Sequence, residues 1–279
     1  SRADVLVELA KSGLQAEPTP FAPAGIRLAG KPALNHHPSF VAGLIEVQDE
    51  GSQLLCHLVQ PRRGEMVVDF CAGAGGKTLA LAAMMRSSGR VYAFDVSEQR
   101  LARLKPRLSR SQLSNVHPQR IASEREPRVH RLAGKIDRVL VDAPCSGLGT
   151  LRRNPDLKWR QRPEDVVELV QKQTSILRAA ASLVKPGGRL VYATCSLLAE
   201  ENEGVVRVFL DAHAEYSLQS ALDVLHHQGI DLPSLPGATS DPFLRLWPHV
   251  HRTDGFFAAV MDRARPSAGS ADVPSKPSR

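Results

Sequence analysis

The stretch of sequence that decides the fold of this chain reads Val67-Val68-Asp69-Phe70-Cys71-Ala72-Gly73-Ala74-Gly75-Gly76-Lys77-Thr78. It starts as an apolar run typical of a buried strand (residues 66–70), passes through three glycines, and continues as a helical pattern over residues 77–85. In open α/β sheets, ligands bind in the crevice beside such a strand-to-helix turn. Glycines let the backbone approach the ligand closely, and the helix start offers it free amide groups. The stretch therefore predicts an α/β domain with a ligand-binding loop.

Apolar periodicity predicts that strands and helices alternate along most of the chain. The other predicted strands are residues 90–95, 116–121, 136–142 and 189–193, and the other predicted helices are residues 48–58, 97–108, 163–184 and 202–212. This alternation predicts an α/β fold with a mostly parallel, doubly wound sheet. A last strand within residues 255–261 could close the edge of that sheet. With 279 residues, the chain can form one full domain and a smaller appendage.

Composition divides the chain into three predicted regions. Residues 1–45 are rich in proline and glycine after a short helical pattern over residues 5–11, and we interpret them as part of an accessory module. Because the chain begins in that pattern, we expect a further amino-terminal part in the natural protein or in a separate chain. Residues 46–264 would form the main domain. Residues 265–279 carry serine, proline and lysine with almost no apolar side chains, which predicts a disordered tail.

The charge of the chain suits a polyanionic partner. Lys and Arg total 36 against 29 Asp and Glu, which gives a net charge of +7. Between Gln99 and Lys135 stand ten Lys or Arg and only two acids, Glu124 and Glu126. This run predicts a local basic surface if the segment is exposed; the alternative is a solvated helix face that serves solubility alone.

The cysteine pattern argues against a disulfide framework and against structural zinc. The four cysteines lie far apart, without a CxxC pair or a Cys/His metal spacing. The sequence contains no apolar amino-terminal signal segment and no apolar run near the roughly 18 to 20 residues that span a bilayer. We therefore expect no metal, no membrane partner, and a soluble protein of a reducing compartment such as the cytoplasm.

The glycine loop could serve several nucleotide cofactors. A phosphate loop requires GxxxxGK[ST], and the chain has Cys71 where its first glycine belongs; a GxGxxG pattern is also absent. Asp95 ends the second predicted strand, where an acid can accept hydrogen bonds from both ribose hydroxyls of an adenosine moiety. The alternative is that Asp95 caps the helix that follows at Ser97. The missing patterns weaken the two alternatives, a dinucleotide and a nucleoside triphosphate, and the loop and the acid together indicate a nucleoside cofactor.

Two cysteines follow predicted strands at the same edge of the sheet. Cys145 stands three residues after Asp142 and Cys195 follows the fifth strand, whereas Cys56, in an amphipathic helix, fits a small buried hydrophobe. Carbon 5 of cytosine is too weak a nucleophile to accept a methyl group directly, so an enzyme must first add a thiolate to carbon 6. An acid beside ring atom N3, here Asp142, would stabilise the adduct. The residues alone do not order the two thiols.

Further segments complete the pattern: Val47-Gln48-Asp49-Glu50-Gly51-Ser52-Gln53, Asp142-Ala143-Pro144-Cys145-Ser146-Gly147, Arg153-Asn154-Pro155-Asp156, Lys185-Pro186-Gly187-Gly188, Ala193-Thr194-Cys195-Ser196, Glu201-Asn202-Glu203 and Asp254-Gly255-Phe256-Phe257. Over roughly residues 40–261, the chain resembles the RsmB/Nop2/Sun family of RNA cytosine-5 methyltransferases. The resemblance implies a Rossmann-like fold that uses S-adenosylmethionine, preceded by a short α+β remnant that contacts RNA.

The resemblance also implies roles for individual residues. Cys195 would attack carbon 6 of the cytosine, Cys145 would assist product release, and Lys77 would lie near the target base. The cofactor would be held by Cys71, Ala72, Gly73, Ala74, Gly75, Gly76, Lys77, Asp95, Arg100, Ser123 and Asp142. Ser123 departs from the family, which often has an acid about nineteen positions before the aspartate that matches Asp142. A serine can accept one hydrogen bond from the adenine amino group, or Glu124 could substitute.

The substrate implied by the resemblance is RNA, with 16S ribosomal RNA as the leading choice and the chain acting as a monomer. Because carbon 6 is hidden in a stacked helix, the target must be unpaired or extruded, with phosphate contacts compensating for the lost stacking. The basic run and Arg152, Arg153, Lys158, Arg160 and Arg162 could supply those contacts. Trp159 could stack on RNA or pack beneath the loop formed by residues 152–162.

Two other functions stay open from the sequence. One is methylation of another nucleic acid, either transfer RNA or DNA, because the chemistry is shared. The other is a non-catalytic RNA-binding factor in ribosome assembly, against which the intact Asp142, Cys145 and Cys195 argue.

Overall fold

The computed structural model describes residues 1–233 and 241–265. The strands are β1 (Ala16–Pro18), β2 (Ile26–Leu28), β3 (Met66–Asp69), β4 (Arg90–Asp95), β5 (Val116–Arg120), β6 (Ile136–Asp142), β7 (Val184–Thr194), β8 (Tyr216–Gln219), β9 (Leu244–Leu246) and β10 (Phe256–Arg263). The helices are α1 (Arg2–Lys11), α2 (Pro38–Val41), α3 (Glu50–Val59), α4 (Gly76–Met84), α5 (Glu98–Ser111), α6 (Pro127–His130), α7 (Leu157–Arg160), α8 (Pro163–Leu183), α9 (Glu203–Ala212), α10 (Ala221–His226) and α11 (Pro248–His251), with a 3₁₀ turn at Leu148–Thr150.

The main sheet has the strand order β5-β4-β3-β6-β7-β10-β8, and β9 also pairs with β10. The five strands from β5 to β7 are parallel, whereas β10 runs antiparallel to β7, β8 and β9. The predicted α/β fold with a mostly parallel sheet is confirmed. The suggestion that the last strand closes the sheet edge is wrong, because β10 lies between β7 and β8.

Strand β3 lies where the chain order of the parallel strands reverses. Val67 pairs with Val91 of β4 on one side and with Arg138 of β6 on the other. In open α/β sheets, the crevice beyond the carboxyl end of such a strand is the usual ligand site. The fold therefore places the glycine loop after β3 at that crevice.

The sheet is buried on both faces, which explains the continuous apolar runs of its strands. Val67 packs into the core formed with α3, α4 and α5, and the next residue, Val68, packs into the opposite core formed with α8 and α9. Successive side chains of a strand point to opposite faces, so each central strand contributes to both cores. Consequently only the strand ends are free to carry the site.

Strand β7 begins earlier than the sequence predicted. Ile136 pairs with Val184, whereas Arg138 pairs with Arg189, so the strand contains an irregularity over residues 185–188. A side chain at Gly188 would lie 2.8 Å from the backbone oxygen of Asp137, which requires glycine at this close approach. Elements β8, α10, β9 and α11 were not predicted, because they are short and are held mainly by pairing with β10 and by packing on the core.

Residues 1–45 form an α+β arrangement of α1, the antiparallel pair β1 and β2, and α2. This arrangement is attached to α3 through Glu50, a buried carboxylate. Glu50 accepts hydrogen bonds from the backbone nitrogens of Phe21 at 2.7 Å and Ala22 at 2.9 Å, and it pairs with Arg27 at 3.3 Å. That residues 1–45 form a module separate from the main domain stays a prediction.

Two predictions reach beyond the described residues. Of the tail predicted over residues 265–279, only residue 265 is among the described residues. The proline- and glycine-rich segment of residues 232–242 is described only at its two ends. Among the helices that are described, none combines the length and apolar character needed to cross a membrane.

Candidate active site

The predicted site residues meet at the carboxyl edge of the sheet. Asp142 of β6 pairs in register with Ala193 of β7, so the segments that leave these two strands run side by side. As a result, the Sγ atoms of Cys145 and Cys195, fifty residues apart in the chain, lie 3.5 Å from each other. The sequence-based prediction that both thiols share one edge of the sheet therefore agrees with the geometry.

The two thiols share a hydrogen bond and differ in acidity. That hydrogen bond lowers the pKa of Cys195 below its ordinary value, although burial and the charge of Asp142 oppose the effect, and the Lys77 ammonium adds to the lowering. The same hydrogen bond, together with burial, raises the pKa of Cys145 well above its ordinary value. Of the two thiols, Cys195 therefore has the lower pKa and Cys145 the higher one.

Lys77 and Asp142 form an ion pair beside the thiols. The Nζ atom of Lys77 donates to Oδ2 of Asp142 at 2.7 Å, and it lies 5.6 Å from the centre of the Phe256 ring. Burial alone would lower the pKa of Lys77, but the charge of Asp142 and its hydrogen bond raise the pKa above the ordinary value. The two charges of this pair act on the pKa of Cys195 in opposite directions: Asp142 raises it and Lys77 lowers it.

The glycine loop is open where a ligand would approach. Gly75 precedes α4 with a φ of 82°, and a side chain there would lie 2.2 Å from Cδ1 of Leu104. At Gly73, with a φ of 56°, a side chain would meet no atom within 4 Å. No side chain caps the start of α4. Its first amide groups are therefore available to an anionic group such as a carboxylate.

Asp95 holds the glycine loop in place. Its Oδ2 atom accepts from the backbone nitrogen of Gly73 at 2.8 Å, and its Oδ1 atom accepts from that of Ser97 at 2.7 Å and lies 3.1 Å from Arg100. The hydroxyl of Ser97, not Asp95, caps helix α5 by accepting from the backbone nitrogen of Arg100. The carboxylate retains acceptor capacity, so Asp95 could still receive a ribose hydroxyl.

Ser123 lies after β5 at the same edge of the sheet. Its hydroxyl accepts from the backbone nitrogen of Arg125 at 3.2 Å. The carboxylate of Glu124 instead accepts from the hydroxyl of Ser175 on α8 at 2.6 Å. Ser123 and Glu124 are the two candidates to accept a hydrogen bond from the adenine amino group. The side chain of Ser123 stays within the loop after β5, whereas that of Glu124 is bound to α8.

The sequence reasoning assigned no role to Glu201, which joins the two cysteine segments. This fully buried carboxylate accepts from the backbone nitrogen and hydroxyl of Ser146, from the hydroxyl of Ser196, and from Nε2 of Gln173 at 2.9 Å. Ser146 follows Cys145, and Ser196 follows Cys195. The sequence marked Glu201 only as part of the Glu201-Asn202-Glu203 segment. Its joining role could not be predicted, because the partners of Glu201 lie up to 55 residues away in the chain.

Two of the predicted phosphate-binding arginines, Arg152 and Arg153, are paired with acids from distant parts of the chain. Arg152 contacts Asp49 at 2.6 Å and Arg153 contacts it at 2.8 Å, and both also contact Asp254. These pairs join the segment after Cys145 to the start of α3 and to the turn before β10. In the basic run, Arg107 and Arg110 likewise pair with Glu46. These four side chains therefore stabilise the protein itself.

Trp159 on α7 is 80% exposed. The alternative that its ring packs beneath the loop of residues 152–162 is therefore wrong. Lys158 is also exposed, and its Nζ atom lies 4.9 Å from the centre of the indole ring.

Within residues 1–233 and 241–265, no group of three or more His, Cys, Asp or Glu side chains is arranged to hold a metal ion. All four cysteines are free thiols. The site therefore consists of two thiols, an ion pair and an open loop, an arrangement suited to nucleophilic chemistry by a thiolate.

Comparisons with known proteins place this geometry in context. The family model described as 16S rRNA methyltransferase RsmB/F matches residues 56–262. The ribosomal RNA small subunit methyltransferase B of Yersinia pseudotuberculosis is 39% identical over 259 residues, which cover 93% of this chain and 56% of that protein. The chain thus spans about half the length of the curated relatives that it matches.

Two solved structures from Pyrococcus horikoshii share the fold. A methyltransferase homolog protein is 34% identical with a TM-score of 0.79, covering 94% of this chain and 83% of that one. NSun6, solved with the S-adenosylmethionine analogue SFG, is 28% identical with a TM-score of 0.72, covering 87% of this chain and 61% of that one.

Proposed function

The chain belongs to the 16S rRNA methyltransferase RsmB/F family, and on that premise we propose that it transfers a methyl group from S-adenosylmethionine to carbon 5 of a cytosine in RNA. The observation that carries the proposal is the pair of thiols, 3.5 Å apart, beside the Lys77–Asp142 ion pair and the open glycine loop. Carbon 5 of cytosine is activated by addition of a thiolate to carbon 6, and the site offers that thiolate beside the crevice for the methyl donor.

The residues of the crevice fit S-adenosylmethionine. The uncapped start of α4 suits the carboxylate of its methionine part, and the open space beside Gly73 admits a ligand close to the backbone. Asp95 suits the ribose hydroxyls, and Ser123, in the loop after β5, suits the adenine amino group. We assign the loop of residues 71–77, with Asp95, Arg100, Ser123 and Asp142, to this cofactor. The bound cofactor supplies an electrophilic methyl group.

Cys195 begins the reaction in this proposal. Its thiolate adds to carbon 6 of the cytosine, a carbon–sulfur bond forms, and electron density moves to carbon 5 and towards N3. The lowered pKa of Cys195 supports this role, because a larger fraction of the thiol is then ionised at neutral pH.

The Lys77–Asp142 pair stabilises the charge that develops on the cytosine ring. Asp142 lies beside N3 in this proposal, and a proton passes from the ammonium of Lys77 through the carboxylate of Asp142 to N3, where it neutralises the electron pair that N3 receives. Since the ion pair is partly shielded from solvent, its charges act more strongly on the ring than they would in water.

Cys145 acts when the product is released. After methyl transfer, a water molecule from solvent acts as the base and removes the proton from carbon 5. The electron pair of that carbon–hydrogen bond forms the double bond between carbons 5 and 6 again, and the carbon–sulfur bond breaks with its electron pair leaving on Cys195. The departing Cys195 thiolate then accepts a hydrogen bond from the Cys145 thiol. The raised pKa of Cys145 supports this role, because the Cys145 thiol stays protonated and can donate a hydrogen bond.

We further propose 16S ribosomal RNA as the substrate, because the matching family and the curated relative carry that name. Residues 1–45 would be part of an accessory module that contacts this RNA, and residues 46–264 would be the methyltransferase domain. Transfer RNA as substrate, and an assembly factor without turnover, are outcomes that the experiment separates from this proposal.

The experiment incubates the chain with methyl-labelled S-adenosylmethionine and separately with 16S ribosomal RNA, transfer RNA and DNA. We expect label in the ribosomal RNA, recovered as 5-methylcytosine after digestion to nucleosides. Label only in transfer RNA or DNA would contradict the substrate, and label at another base would contradict the chemistry. Cofactor binding without label in any nucleic acid would indicate a factor without turnover.

A further inference from the structure

Trp159 exposes most of its indole ring to solvent. Its side chain is 80% exposed, and among the exposed large hydrophobic side chains of the described residues it is the only aromatic one. A large apolar side chain gains free energy when it leaves water, so a tryptophan is usually buried to a large extent. An exposed tryptophan ring is therefore a candidate contact for a partner.

Helix α7, which carries Trp159, is attached to the cysteine segment that follows β6. Gln161 donates from Nε2 to the backbone oxygen of Ser146 at 2.8 Å. Leu157 packs next to Gly147, where an added Cβ would lie 3.4 Å from its Cδ1 atom. Ser146 and Gly147 directly follow Cys145. These contacts hold helix α7, which carries Trp159, against the segment that follows Cys145.

The surroundings of the ring are basic. Lys158, Arg160 and Arg162 are exposed, and Asp156, which pairs with Arg160, is the only acid between residues 152 and 162. The ligand that matches an exposed aromatic face among positive charges is one with both a flat ring and phosphates. Single-stranded nucleic acid has this chemistry, because bases stack on aromatic side chains while the backbone contacts the cations.

We propose that Trp159 is a stacking platform for a base of single-stranded RNA that neighbours the target cytosine, an inference that rests on the function proposed above. Extruding a cytosine leaves its neighbours without a stacking partner on one side. An indole held beside the cysteine segment replaces that partner. In an intact duplex the faces of the bases are covered, so the platform is available only to unpaired bases.

The two tryptophans of the chain make a direct test possible. In the variant Trp247→Phe, Trp159 is the only tryptophan, so its fluorescence reports on its surroundings alone. Trp247 lies outside the residues assigned to the site, and its side chain is partly buried. We expect a short single-stranded RNA that contains cytosine to quench this fluorescence, because a stacked base quenches indole emission.

The affinity of the otherwise unaltered chain for the same RNA is the second measurement. Trp159→Ala should weaken binding about tenfold, as expected when one base loses its aromatic partner, and Trp159→Phe should restore much of it. Lys158→Gln serves as a matched control, which should lower the salt dependence of binding while quenching persists.

Several results would overturn the inference. They are binding of the RNA without quenching, unchanged affinity of Trp159→Ala, and equal quenching by a fully paired duplex. Quenching that rises with protein concentration in the absence of RNA would identify a second copy of the chain as the partner.

Methyl transfer by Trp159→Ala at the unaltered rate and KM would refute the platform and leave the proposed function intact. Quenching without methyl transfer by the unaltered chain would support the platform and contradict the proposed function.

Discussion

The Sγ atoms of Cys145 and Cys195 lie 3.5 Å apart, although each leaves the sheet from a different strand. The hydrogen bond between them shifts their pKa values in opposite directions, so the two thiols are chemically distinct before any substrate binds. Substituting either thiol should therefore have a different effect on the reaction.

Cys195→Ala should abolish methyl transfer and leave cofactor binding intact, since the substitution removes the nucleophile and leaves the glycine loop unchanged. Transfer of labelled methyl groups and calorimetric titration with S-adenosylmethionine are the two measurements. Cys56→Ala is the matched control and should retain transfer, because Cys56 is buried in α3. Normal transfer by Cys195→Ala would remove this residue from the mechanism.

Cys145→Ala should accumulate a covalent complex of protein and RNA, because attack on carbon 6 proceeds while release is impaired. The complex should appear as a slowly migrating band on a denaturing gel. In the double variant with Cys195→Ala the band should be absent. If Cys145→Ala instead turned over at the unaltered rate, its role in release would be excluded.

The rate of Cys195 alkylation should rise at a lower pH than that of an ordinary thiol, because its lowered pKa allows the reactive thiolate to form earlier as pH increases. Both Cys145→Ala and Lys77→Met should move this rise to higher pH, since each removes a group that favours the thiolate. Mass spectrometry after brief iodoacetamide treatment follows each cysteine separately. A pH profile that is the same in all three proteins would contradict the assigned causes of the shift.

Glu201→Ala should lower the free energy of unfolding by about 3 kcal/mol or more, because it leaves several buried donors without an acceptor. It should also reduce methyl transfer more than cofactor binding, since Glu201 joins the segments that carry the two thiols. Urea unfolding and the transfer assay measure the two effects. The neighbouring Glu200 is exposed, and Glu200→Ala should change neither quantity. Equal stability of the two variants would rule out the joining role.

Much of the fold was predictable because its signals are local. The apolar run before Asp69 and the glycines that follow it predicted a buried strand, a turn and a helix, and the structure has all three at nearly the predicted bounds. The short strand β8 was missed, because it is four residues long and is defined by pairing with β10, more than 40 residues later.

The arginines and Trp159 show where local signals were insufficient. Charge alone suggested that Arg152 and Arg153 bind phosphates, but their partners Asp49 and Asp254 come from distant parts of the chain. For Trp159, the sequence left both stacking on RNA and packing beneath the loop of residues 152–162 open. Packing was excluded only by the tertiary structure, in which the side chain of Trp159 is 80% exposed.

The sequence by itself determined the alternation of strands and helices, the position of the glycine loop, and the presence of two thiols at one edge of the sheet. It could do so because parallel strands end at a common edge, and because residue type and spacing reveal where each strand ends. Only the tertiary structure decided which thiol is more acidic, which carboxylate joins the two thiol segments, and which arginines stay exposed. These properties depend on distances and burial among residues far apart in the chain, and electrostatic interactions and hydrogen bonds act through space rather than along the sequence.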